Sequence, residues 1–172
     1  MSEQYLSFKK DSPEVQELIK WWEGLNNDRG ERAVLRRCST RAEVVFSPAY
    51  HRLRRALMNV GRFNDKFDDR LSLIVGLLAR VKTNADGSNI AGQMATGKSD
   101  GSARVSGLRF RRLLKVKDCE DILLAMTRTI ALLGGAVNLQ SLARSMYLWD
   151  DKYVDIRKEW AFDYYSKAPD EK

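Results

Sequence analysis

The chain has 172 residues, and its 30 lysines and arginines against 23 acids give a formal net charge of +7. This length supports a substantial hydrophobic core, and the moderate basic excess favours acidic partners without identifying them. The first ten residues lack the apolar stretch of a signal peptide, and the longest apolar run, 122–133, is interrupted by polar residues and Arg128. We therefore expect a cytoplasmic protein that does not span a membrane.

Helix-capping signals recur through the first third of the chain. Ser-Pro pairs at 12–13 and 47–48 each place a capping serine before a proline at the first helical position. Asp28 and Thr40 are each followed three residues later by a glutamate, the spacing of a capping box. Because apolar residues follow at helical spacing, four helices are predicted here, the first ending near Gly24.

The fourth predicted helix carries charge along one side. Its apolar stripe runs from Tyr50 to Val60, and Arg52, Arg55 and Arg62 line the opposite side. Arginines in such a row can follow a phosphate backbone, or they can pair with acids from neighbouring helices. The sequence leaves both interpretations open.

A glycine-rich segment, 83–107, follows a long apolar helix that begins near Asp65. Its composition predicts a flexible loop, which could join two small lobes, 1–82 and 104–172. Residues 92–99 match the pattern G-x-x-x-x-G-K-S of a phosphate-binding loop. That loop needs a buried strand before it and a helix after it, and the flanking residues predict neither, so we interpret the match as fortuitous.

The segment 104–117, RVSGLRFRRLLKVK, concentrates positive charge on a predicted helix. Its apolar residues share one helical face, which can dock on a core. The cations form two pairs on other faces, Arg109 with Arg112 and Arg111 with Lys115. Like charges at these spacings repel, and a polyanion removes that cost because its phosphates neutralise several cations and release counterions. A solvated basic face without a ligand is the alternative.

Three further helices are predicted in the last third of the chain. Asp118 caps a strongly apolar helix that Gly134 and its neighbouring glycine close, and Asn138 starts the next one. The last helix runs from about Tyr153 to Tyr165, and its aromatic residues are expected to pack a core or an interface. No stretch alternates with period two, so the predicted fold is an all-α, compact multi-helix bundle.

The sequence does not indicate catalysis. His51 is the only histidine, and it lies among arginines, which disfavours a catalytic triad or a histidine-cysteine metal site. Cys38 and Cys119 match no metal or redox spacing and are expected to be reduced. Acids cluster at 68–69, at 118–121 and at 150–151, where they are predicted to lie near helix starts. We therefore predict no catalytic residues, no metal and no cofactor.

Five segments taken together resemble one protein family. They are LRRC at 35–38, SPAYHRLRRAL at 47–57, RVSGLRFRRLL at 104–114, LARSMYLW at 142–149 and WAFDYY at 160–165. In this order they are similar to the CasB family, the small subunit of the type I-E CRISPR surveillance complex called Cascade. The long glycine-rich segment and Gly107, a poor helix residue inside one motif, depart from the family pattern.

The resemblance implies an all-helical, non-catalytic subunit present in two copies within Cascade. It would contact the large subunit and the backbone subunits that carry the guide RNA. Its basic surfaces would steady the hybrid of guide RNA and target DNA and also the displaced, non-target strand, without reading sequence. A helical scaffold whose basic faces bind acidic protein partners is the alternative function.

The candidate nucleic-acid-binding residues follow from these patterns. Those in LRR and LRFRR rest on the family resemblance, and the others rest on charge and helical face alone. The full set is Arg36, Arg37, Arg52, Arg55, Arg109, Arg111, Arg112, Lys115, Arg128 and Arg144. We expect them to form a shared, groove-like track for sugar-phosphate chains.

Overall fold

The computed structural model describes residues 4–171, which fold almost entirely into helices and confirm the predicted all-α class. Two strands of two residues each accompany the helices within this range. The elements in chain order are α1 Pro13–Asn26, α2 Arg29–Arg37, α3 Arg41–Val45, α4 Pro48–Met58, α5 Phe67–Leu78, β1 Thr83–Asn84, α6 Ile90–Ala95, α7 Gly107–Leu114, α8 Cys119–Leu132, β2 Ala136–Val137, α9 Leu139–Tyr147 and α10 Ile156–Tyr165. None of the helices described within 4–171 is long and apolar enough to cross a membrane.

The predicted capping residues begin their helices as expected. The Ser12 and Ser47 hydroxyls accept hydrogen bonds from main-chain N–H groups at the starts of α1 and α4. The side chains of Asp28 and Thr40 accept from the third residue after each. The predicted end of α1 at Gly24 was wrong, because the helix continues to Asn26 before its last carbonyls are capped.

Helix α5 forms the centre of the core. Its residues from Arg70 to Leu78 are all buried, and it packs against α3, α8 and α9. Burial on every side explains why this helix is apolar almost throughout instead of showing a single stripe. Because α8 and α9 come from the second half of the chain, both halves contribute to one hydrophobic cluster. A division into lobes 1–82 and 104–172 stays a prediction.

The prediction of a flexible loop over the whole of 83–107 was wrong. Strand β1 pairs in parallel with β2, and α6 packs against α10 with Ile90 and Met94 buried. The Gln93 side chain joins the two features, since it donates to the carbonyl of Ala85 and accepts from the N–H of Asn138. Helix α6 has only six residues, which is too short to show a periodic apolar pattern. The glycines around it therefore made the whole segment resemble a loop.

The four tryptophans are each fixed by a hydrogen bond from the indole N–H. Trp21 and Trp22 donate to the carbonyls of Ala49 and Val81, which join α1 to α4 and to the end of α5. Trp149 donates to a carbonyl after α7, and Trp160 donates to a hydroxyl of α9. Trp149, Trp160 and Tyr164 are buried and pack the core as predicted, whereas Tyr153 and Tyr165 are 85% and 48% exposed and do not. A buried indole needs such a partner, because its N–H would otherwise lose hydration without compensation.

Candidate nucleic-acid interface

Helix α7 is held to the body of the protein by its apolar face. The Ser106 hydroxyl caps its start, accepting from the N–H of Arg109, and Phe110 is completely buried. The Phe110 ring stacks on Tyr164 of α10 with ring centroids 4.0 Å apart. The Tyr164 hydroxyl donates to the carbonyl of Val105 at 2.6 Å, so the same aromatic residue anchors both the helix and the segment before it.

The C-terminal end of α7 is fixed by a second set of contacts. The Arg157 guanidinium donates from Nε to the carbonyl of Leu114 at 2.9 Å and from Nη2 to that of Val116 at 3.1 Å. It also lies over the Trp149 ring, 4.6 Å from the centroid. A cation at this position complements the negative end of the helix dipole while it satisfies the last carbonyls. Both ends of α7 are therefore fixed.

The opposite side of α7 presents the predicted cations to solvent. Arg109, Arg112 and Lys115 are exposed, and none of them forms an ion pair with a carboxylate among residues 4–171. Arg109 and Arg112 lie one helical turn apart, so their side chains share a face. This face is rigidly supported, positively charged and without a counterion from the described chain.

Arg111 differs from its neighbours on α7. Its Nη1 donates to Oε1 of Glu171 at 2.7 Å and to the hydroxyl of Tyr165 at 3.3 Å. These two hydrogen bonds raise the pKa of Arg111 above its usual value. Gly107 allows this arrangement, because a methyl group at that position would overlap the Glu171 carboxylate. Gly107, the first residue of α7, therefore lies directly beside the ion pair of Arg111 with Glu171.

Two more of the predicted cations are paired with acids. Arg52 of α4 contacts the Glu31 carboxylate. Arg144 of α9 donates two hydrogen bonds to the Glu159 carboxylate, at 2.8 and 3.3 Å. Arg55 is exposed on α4 and has no ion pair in the part of the chain that the structure describes. Arg62, which the sequence placed on the same helical row, lies beyond the end of α4. A single track that joins all the predicted cations stays a prediction.

A second basic cluster forms where α2, α5 and α8 end. Arg36 lies in the last turn of α2, and Arg80 and Lys82 follow α5 directly. These three side chains border a cleft of about 300 Å³ whose other wall is the end of α8 with Gly134 and Gly135. Arg37 is exposed next to Arg36, and the exposed Arg128 follows a residue of α8 that lines the cleft. The fold thus brings together cations that are far apart in the sequence.

Several cations important to the structure were missed at the sequence level. They are Arg32, Arg70, Arg80 and Arg157, whose partners are mainly carbonyls or carboxylates of segments distant in the sequence. Arg70 is buried and pairs with Asp150, which also accepts from Arg157 at 3.1 Å. The only available signal was the position of Arg70 inside an otherwise apolar helix, since a buried arginine requires an acid nearby.

The acids occupy structural positions. Asp68 and Asp69 lie in the first turn of α5, and Asp118 caps α8, as predicted. The prediction was wrong for 150–151, because Asp155 caps α10 and Asp150 instead holds two arginines. Burial raises the pKa of Asp150, but the hydrogen bonds from Arg70 and Arg157 outweigh it and lower the pKa overall.

Other candidate chemistry finds no support in the geometry. His51 is exposed, with Nε2 2.7 Å from the carbonyl of Val45. Cys38 and Cys119 are free thiols, and burial raises the pKa of each. Within residues 4–171 no group of three or more histidines, cysteines and acids could hold a metal ion. Gly92 lies inside α6, so the segment 92–99 runs out of a helix and lacks the strand-loop-helix order of a phosphate-binding loop.

Comparison with known proteins identifies the family. The family model for the CRISPR-associated protein Cse2 matches residues 31–165. The chain belongs to the Cse2 family. This is the CasB family of type I-E Cascade that the sequence motifs indicated. Members of the family are subunits of Cascade, so other Cascade subunits are implied as partners of this chain.

Two crystal structures from Thermus thermophilus share the fold. The structure of CasB is 19% identical with a TM-score of 0.66. A second structure, of a CRISPR-associated protein of the Cse2 family, is 22% identical with a TM-score of 0.65. Each alignment covers 90% of this chain and 99% of the other. No curated protein matches the chain significantly. The Cse2 match includes α7 and the basic cleft, and Glu171 lies outside it.

Proposed function

We propose that this Cse2 protein is a non-catalytic nucleic-acid-binding subunit that works in the cytoplasm. It stabilises the hybrid of guide RNA and target DNA, together with the displaced strand, by contacts to sugar and phosphate. Its protein partners are the large subunit, the backbone subunits and a second copy of itself. Sequence specificity comes from base pairing between guide and target, so the protein needs only contacts to shape and backbone.

The observation that carries this proposal is the exposed face of α7. Arg109, Arg112 and Lys115 crowd one short helix whose opposite face is locked onto α10, and no described carboxylate neutralises them. Because the backbone of α7 is already held in place, no ordering of this segment opposes binding. Because formation of an R-loop is a nearly balanced exchange of base pairs, a few added phosphate contacts suffice to shift it.

The test is the double substitution Arg109→Ala/Arg112→Ala in the full chain. We expect weaker binding to single-stranded DNA and to an RNA–DNA hybrid, by the same factor for different sequences. The slope of log affinity against log salt should fall by about one to two units, since each lost phosphate contact removes about 0.7 to 0.9 of a unit. Fluorescence anisotropy at several salt concentrations measures both quantities.

A charge-matched control separates these contacts from the general charge of the protein. Lys20→Gln/Lys152→Gln removes two exposed cations from α1 and from the connection between α9 and α10. We expect it to leave the salt slope nearly unchanged. Equal losses in both double variants, or no loss at α7, would refute the assignment of α7.

The alternative is a helical scaffold that binds acidic protein partners. It is favoured by Phe162 and Tyr165, which are 69% and 48% exposed on α10. Such exposed aromatics are typical of protein interfaces. A scaffold predicts no salt-dependent binding of single-stranded DNA by the isolated protein.

A further inference from the structure

The cleft between α2, the end of α5 and α8 has the features of an anion site. Its cationic side consists of Arg36, Arg80 and Lys82, and Thr127 and Ala131 of α8 lie on the facing wall. The stem of Lys82 lies directly against Gly135, where any side chain would collide with it. The missing side chain of Gly135 thus lets Lys82 lie along the edge of the cleft.

The donors of Arg80 are directed at main-chain carbonyls. Its Nη2 donates to the carbonyls of Arg36 and Cys38, at 3.1 and 2.9 Å, and its Nη1 donates to that of Gly76. Arg32, next to it, donates to the carbonyls of Ala79 and Val81. These bonds hold two guanidinium groups at the ends of α2 and α5, but a carbonyl does not neutralise their charge.

The cluster carries more positive charge than its surroundings compensate. None of Arg32, Arg36, Arg80 and Lys82 forms an ion pair with a carboxylate in the described range 4–171. The Arg80 guanidinium donates to the main-chain carbonyl of Arg36, so these two residues lie side by side at the cleft. Burial is the main cause that lowers the pKa of Arg32 and of Arg80, and the charge of Arg36 lowers both further. Arg36 and Lys82 are exposed, and no described side-chain acceptor engages them, so their donors are available to a ligand.

We propose that this cleft binds a backbone phosphate of a nucleic-acid strand, as a site additional to α7. Arg36 and Lys82 contact the phosphate oxygens, and Arg80 and Arg32 supply fixed positive charge behind them. A phosphodiester fits because its two free oxygens can accept from two donors at once. The inference rests on the proposed nucleic-acid function and names a second place where that function is carried out.

The decisive variant adds a negative charge to the cleft without removing any donor. Ala131 is exposed on α8 and lines the wall that faces Arg36 and Lys82. Ala131→Glu should place a carboxylate where the phosphate binds and weaken affinity for single-stranded DNA about tenfold, the effect of one lost charge-assisted hydrogen bond. Ala131→Gln is the size-matched control and should bind as the wild type does. Equal affinity of the Glu and Gln variants would overturn the proposal.

A second measurement tests directly whether bound DNA covers Lys82 in the cleft. Acetylation of lysines in the full-length protein, followed by mass spectrometry, should show Lys82 protected by bound single-stranded DNA and Lys152 still reactive. If the DNA binds and Lys82 stays as reactive as in the free protein, the cleft is not a phosphate site, although the proposed function of α7 stands. If no DNA binds at any salt concentration, the proposed function fails and this inference fails with it.

Discussion

Arginines serve opposite purposes on the two sides of α7. On the outer face, Arg109 and Arg112 are exposed, and no described acid neutralises them. Beneath the helix, Arg157 directs its donors at carbonyls and at Asp150, and the side chain of Arg70 is buried against the same carboxylate. The number of basic residues therefore overestimates a binding surface, because an arginine is available to a ligand only if the fold leaves its donors unused.

The two groups also differ in what they contribute to stability. An exposed cation adds little to folding and can be replaced with small effect. A buried arginine is costly to desolvate, and loss of its partner leaves an uncompensated charge. Arg70 has an additional cost, because its Nη1 is buried without a hydrogen-bond partner among residues 4–171. Substitutions of the exposed arginines should therefore change DNA binding, and substitutions at the buried arginine or its partner should change stability.

The largest expected effect comes from the aromatic contact that supports the outer face. Phe110→Ala removes the ring stacked on Tyr164 and should lower the free energy of unfolding by about 3 to 5 kcal/mol, the usual cost of such a cavity. Urea unfolding measures this change. Leu108→Ala on the same helix is the control, since Leu108 is 52% exposed. A loss below about 1 kcal/mol for Phe110→Ala would show that the stacking does not hold α7.

The next largest effect concerns the buried ion pair between Arg70 and Asp150. Asp150→Asn leaves Arg70 buried without a full counter-charge, and we expect a loss of about 2 to 3 kcal/mol in the free energy of unfolding. DNA affinity of the folded protein should change little. Asp151→Asn is the neighbouring control, because its side chain accepts main-chain hydrogen bonds that an amide oxygen can also accept. Equal losses in the two variants would contradict a special role for Asp150.

The pH dependence of that difference gives an independent check. The pKa of Asp150 is lower in the folded protein than in the unfolded chain, where it is about 3.9. Its stabilising contribution is therefore complete above about pH 4 and disappears as the pH falls through the lowered value. The stability gap between the wild type and Asp150→Asn should be constant near neutrality and should close in acid. A difference in stability that grows in acid would contradict the lowered pKa of Asp150.

The smallest effect concerns Arg111 of α7, which forms an exposed ion pair with Glu171. Glu171→Gln frees Arg111 and should strengthen DNA binding about two- to threefold at low salt, as expected for one exposed ion pair. Gly107→Ala should act in the same direction, since the added methyl group displaces the Glu171 carboxylate. Asp170→Asn removes a neighbouring charge as the control. The idea fails if Asp170→Asn strengthens binding as much as Glu171→Gln does.

The helices and most of their starts could be predicted from the sequence, because capping and apolar periodicity are local properties. Ser47 with Pro48, Asp118 and Asn138 all begin helices as their residue types require. Phe110 could be assigned to the core from its spacing relative to Leu113. The exposed cations of α7 followed from the same periodicity, since a helix that buries one face presents the other.

The cleft and the pairing of arginines could not be predicted, because they depend on contacts between distant segments. Arg36 and Arg80 meet only when the ends of α2 and α5 come together in the fold. Glu171, at the end of the described chain, contacts Arg111, and Arg70 of α5 contacts Asp150, which follows α9. Charge alone therefore predicts binding by Arg144, which is engaged by Glu159, and does not single out Lys82, which is not paired with any described acid.

The fixed indole groups give the protein four built-in optical reporters. Trp21 and Trp22 sense the junction of α1 with α4 and α5, and Trp149 and Trp160 sense the packing behind α7. Arg157 lies over the Trp149 ring, where a charged group shifts the emission of an indole. Replacing one pair of indoles with phenylalanine would let intrinsic fluorescence follow the opposite end of the chain alone, and show whether both ends lose structure in the same transition.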